Sequence, residues 1–71
     1  MSSLAESLPE QQRRVREEIL PKYESLRGMP QVNVEFAIMT IKALLANAER
    51  AAASGDVVAM IRAHEELKEI E

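Results

Sequence analysis

His64 is the only histidine in the chain, and histidine is the side chain best suited to proton transfer near neutral pH. It suggests two chemistries, a general base and a pH switch, and both need partners. No serine, cysteine or aspartate stands at a spacing that marks a nucleophile or an orienting group, and a triad is recognised by such geometry. On a helix, His64 falls between Met60, Ile61 and Leu67. That is the place of a half-buried histidine hydrogen-bonded to Tyr23 or to a backbone carbonyl. Glu65, Glu66, Glu69 and Glu71 suggest an acid–base pair or a metal cluster. They fall on an exposed helix end, however, where nothing desolvates them or shifts their titration. There are no cysteines, and one histidine cannot anchor an ordinary zinc site. The two glycines, Gly28 and Gly55, sit as helix ends and not as a phosphate loop. The expectation is no catalytic residue, no cofactor and no metal, hence no enzyme.

Arg13, Arg14 and Arg16 are a possible basic contact for phosphate. Residues 1–27 carry five acidic and five basic side chains, so no positive field builds up there. No aromatic residue interleaves with the arginines to stack a base. The expected state is a solvated face paired with Glu10, Glu17 and Glu18 at helical spacings. A nucleic-acid accessory protein using these arginines with Lys22 is the runner-up reading. A DNA-reading helix-turn-helix is rejected, because its second helix would present glutamates to the groove.

The strongest candidate is a helix face. At about 100° per residue, Val34, Ala37, Ile38, Ile41, Leu44, Leu45, Ala48 and Ala52 form one broad apolar stripe. Phe36, Met39, Ala43 and Ala46 form a second, at i, i+3, i+7 and i+10, which is the spacing of a helix-contact seam. Glu35, Lys42 and Glu49 run along one side of it, Thr40 and Asn47 along the other. Two apolar faces require two neighbours. The second neighbour is the chain's own first helix, a second copy, or a foreign partner.

Three helices must position these residues. Residues 1–6 read as a frayed end. Ser7 to Glu10 fits a capping box with Pro9 in the first turn, opening a helix over about 8–26. Its stripe is Leu8, Val15, Ile19, Tyr23 and Leu26, with Gln12 beside it. Pro21 predicts a kink near Ile19–Leu20. Gly28 and Pro30 end that helix, and Asn33 caps the next, over about 34–53. Gly55 terminates it in a left-handed turn and Asp56 caps a third helix over about 57–69. So short a connection makes the last two helices an antiparallel hairpin. The third helix should bury Val57, Met60, Ile61, Ala63, His64 and Leu67, with Ala59 and Ile70 flanking. Its C-terminal glutamates oppose the helix dipole, so its last turn should fray.

With 71 residues and a net charge of −3, the chain reads as one domain, residues 1–71. A core this small is marginal alone, and with no disulfides, oligomerisation is the available reinforcement. The start of the chain is unlike a signal peptide, and Lys42 and Glu49 interrupt the best apolar run, so no membrane span is expected. A cytoplasmic protein is the default.

Ala48 to Met60, with its Ala-rich Ser-Gly-Asp turn, resembles the hairpin of tetratricopeptide-type repeats. It lacks a second repeat. Ile19-Leu20-Pro21-Lys22-Tyr23-Glu24, followed by Ala53 to Met60, resembles short proteins encoded in phage and prophage genomes. That resemblance implies a small accessory or host-modulating protein and carries no functional residues. The expected architecture is all-α: a kinked first helix against a tight hairpin, dimeric. The expected function is a non-enzymatic interaction protein, a homodimer or a small inhibitor or adaptor occupying a host protein's surface.

Overall fold

The computed structural model describes residues 3–29 and 33–70, and every regular element among them is helical. The first helix, α1, has three consecutive pieces: α-helical Leu4–Arg14, a π-helical turn Val15–Ile19, and α-helical Leu20–Ser25. Glu35–Ser54 is α2 and Val57–Lys68 is α3. The molecule measures 42 × 21 × 15 Å, so along its thinnest direction there is room for little more than one helix diameter.

The capping box expected at Ser7 is not made. The helix starts a turn earlier, with Ser3 at the N-cap, and the Ser7 amide donates to the Ser3 carbonyl at 2.8 Å. Glu10 turns instead to Arg13. The reason is packing, because Leu4 lies against the core and draws the extra turn into the helix. Residues 4–6 are therefore helical, and Pro9 lies inside the helix and not at its first turn.

Pro21 does not break α1. Its ring conflicts with the carbonyl of Glu17 and it lacks an N–H. The chain widens just upstream into the π-helical turn, where the Leu20 N–H reaches back to the Val15 carbonyl. Val15 and Ile19, at the two ends of that turn, are both buried. The expected stripe of α1 holds: Leu8, Val15 and Ile19 are buried, with Gln12, Tyr23 and Leu26 half-buried.

Gly28 (φ 93°) and Gly55 (φ 71°) take the left-handed conformations their positions predict. The Asp56 carboxylate caps α3 by accepting from the Ala59 amide at 3.2 Å. Val34 occupies the N-cap of α2, one residue past the expected Asn33, whose side-chain oxygen accepts from the Glu35 amide at 3.3 Å. Pro30, assigned to the connection, lies outside the described residues.

The core differs from expectation in its centre of weight. Its largest fully buried side chains are Leu8, Val15 and Leu67, so two of the three come from α1. On α2, Val34, Ile38, Ile41 and Ala48 are buried, but Ala51 is buried where Ala52 was expected. On α3, Ala63 and Leu67 are buried and Ala59, Met60, His64 and Ile70 are half-buried. Val57 and Ile61 are exposed, contrary to expectation. Ile61 lies about 200° around the helix from Ala63, so one arc cannot bury both.

Candidate interaction face

The outer face of α2 follows from the burial of its inner one. Met39 is nine residues from Ala48, about 180° around the helix, so packing Ala48 into the core turns Met39 away from it. Ala48 is fully buried, whereas Met39 is 63% and Phe36 72% exposed. Ala43 is exposed and Ala46 half-buried. The first helix does not cover this face: Val15 and Ile19 are in the core, and Tyr23 packs against that core. A groove of about 440 Å³ runs beside Phe36, Met39 and Ile38, bounded by Lys42 and by the Arg27–Glu35 ion pair at 2.7 Å. On the opposite ridge, the Thr40 hydroxyl donates to the Phe36 carbonyl at 2.9 Å. Thr40 is therefore satisfied within its own helix, and the Asn47 side-chain oxygen accepts from Arg50.

Each of the three arginines of α1 has a different environment. Arg13 bridges Glu10 at 2.7 Å, Glu17 at 3.1 Å and Glu18 at 3.2 Å, as the helical spacings predict. These contacts hold its guanidinium more firmly protonated, through hydrogen bonds to Glu10 first and then Glu17. They also hold the Glu10 carboxyl below its usual range, chiefly through the Arg13 hydrogen bond. A lowered folded-state pKa means the pair contributes above the unfolded carboxylate value. The contribution is lost as pH falls through the lowered value. An NMR titration should find Glu10 below ordinary glutamates, and Arg13→Gln should return it to their range. An unchanged Glu10 titration in that variant would contradict the assignment.

Arg14 was missed in its real role. Its guanidinium donates to the carbonyls of Leu67 at 2.8 Å, Ile70 at 3.0 Å and Lys68 at 3.4 Å, with Gln11 accepting from Nε at 3.0 Å. A cation from α1 thus closes the C-terminus of α3, where the last carbonyls have spare acceptor capacity and the dipole is negative. The pair is separated by more than fifty residues, so no local pattern signals it. Arg16 is exposed on the solvent side.

His64 is half-buried, with Nδ1 3.8 Å from a Glu65 carboxylate oxygen. The hydroxyls of Ser25, Thr40 and Ser54 each donate to a carbonyl of their own helix, at 2.7, 2.9 and 3.0 Å. Among the described residues no three acidic, histidine or cysteine side chains converge on a metal-sized site, and no helix is long and apolar enough to cross a membrane. A second exposed apolar patch, Val57, Val58 and Ile61, lies on the outside of α3. Its helical positions relative to Ala63 and Leu67 carry the signal that could have found it.

The fold is thus a three-helix, all-α arrangement with an apolar face on the outside of its second helix. No protein-family model, curated protein or solved structure matches the chain.

Proposed function

We propose that this protein is a non-enzymatic protein–protein interaction module that works through the outer face of α2. It acts as a homodimer or by occupying a surface of a host protein, in the manner of a small inhibitor or adaptor. The exposure of Phe36 and Met39 on one face carries this reading. Leaving a phenylalanine in water forgoes about 2 kcal/mol of burial, a large loss for a marginal 71-residue fold. The face combines a rigid aromatic anchor with an adaptable methionine, the mix common at interface centres. The resemblance to phage-encoded accessory proteins points in the same direction.

The test is a photo-reactive phenylalanine analogue installed at Phe36, with Glu24 on the exposed side of α1 as control. Position 36 should give a discrete cross-linked species, either two copies or this chain joined to one other protein, and position 24 none. Equal labelling at both positions, or none at 36, would remove the reading.

A further inference from the structure

Resting on that reading, we infer that the occupant of the α2 face is a second copy of this chain, packed antiparallel with Ala43 and Ala46 at the two-fold axis. The seam is longer than its apolar part. Continuing the same spacing, Phe36, Ala43 and Arg50 recur every seven residues, and Met39, Ala46 and Ala53 form the alternate row. All but the half-buried Ala46 are exposed. From Phe36 to Ala53 the seam is about 26 Å long.

A parallel pair would set Arg50 against Arg50 and Phe36 against Phe36 around an empty Ala43 layer, so it is disfavoured. Shape permits two antiparallel registers, and charge separates them. In one, Phe36 meets the other copy's Ala46, Lys42 comes beside its symmetry mate, and Glu35 comes beside Glu49: like charges along the whole flank. One heptad along, Ala43 meets Ala46, Phe36 meets Ala53, and the stem of Arg50 lies on Met39, its guanidinium exchanging the Asn47 side-chain oxygen, to which it donates in the single chain, for the Phe36 ring. Lys42 then flanks Glu49 of the other copy, twice by symmetry. Among the described residues neither Lys42 nor Glu49 has an ion-pair partner in its own chain. Glu35, which this register leaves outside the contact, is already paired with Arg27. The small residues at the centre let the helices approach to about 8 Å.

One helix pair buries less than the roughly 1,200 Å² of a standard interface, so the dimer belongs to the weak, reversible class. Sedimentation equilibrium from about 1 µM to about 1 mM covers that range. The wild type should show a reversible monomer–dimer equilibrium. Lys42→Glu and Glu49→Lys should each weaken it about tenfold, because each turns two attractions into two repulsions. The double variant should return to within about threefold of wild type, since the swap restores both pairs. Both positions are exposed, and circular dichroism will confirm that the variants fold. A wild type that stays monomeric overturns the dimer. Tighter association of Glu49→Lys, or a double variant no better than the singles, overturns the register. Cross-linking from Phe36 decides separately whether the face binds another protein.

Discussion

Leu67→Ala should lower the melting temperature by about 12–24 °C, the equivalent of about 3 kcal/mol in a domain of this size. Leu67 is fully buried and shares the core with Leu8 and Val15. Removing its branched end withdraws contacts from the core cluster that all three helices share. A chain of this length has about 4–10 kcal/mol in total, so the variant should be partly unfolded near body temperature. Leu67→Met, which keeps the volume, should lose about 1 kcal/mol or less. Thermal melts followed by circular dichroism will compare the two. Equal melting of Leu67→Ala and wild type would mean that the α1–α3 contact is not where the stability resides.

The second large effect is expected at Arg14. Arg14→Met keeps most of the apolar stem but removes the donors that close α3. Charged hydrogen bonds of this kind contribute about 1.5–3 kcal/mol, and the loss should be near 2 kcal/mol. Arg14→Lys should recover only part of it, because one ammonium cannot reproduce the planar fork across several carbonyls. Urea denaturation will give the size of the loss. Hydrogen exchange will show where it acts, with protection falling first in the last turn of α3. Full recovery by lysine would assign the effect to charge alone and contradict the capping geometry.

The two sites also show which parts of the fold are legible in sequence. Local chemistry is legible. Gly55 and Asp56 fix the hairpin turn because a left-handed residue and a carboxylate cap act within four residues. The 100° periodicity places Leu8, Val15, Ile19, Ile38, Ile41 and Ala48 in the core. What fails is what depends on distant partners. The frayed start expected before Leu8 ignores the contact of Leu4 with the core, which lengthens the helix past a good local cap. At the glutamate-rich end of α3, the carbonyl contacts of Arg14, which arrives from the other end of the chain, had no local signal. Val57 and Ile61 were placed inside because they are apolar, yet α3 buries only the arc around Ala63 and Leu67.

The candidate face was legible as a pattern but its exposure was not. Phe36, Met39, Ala43 and Ala46 repeat at seam spacing whether or not α1 covers them. Only the packing of Val15 and Ile19 beside Leu67 shows that α1 lies elsewhere. The continuation of the seam through Arg50 and Ala53 was hidden because an arginine in an apolar row reads as an interruption. In the proposed dimer its long stem makes it a member of the row.

The most direct test is sedimentation equilibrium of wild type beside Met39→Glu, with circular dichroism on both. The wild type should self-associate reversibly, and Met39→Glu should remain an 8.0 kDa monomer with undiminished helicity. If instead the wild type is monomeric and Met39→Glu loses its helices, Met39 belongs to the chain's own core and the outer face of α2 is no interface.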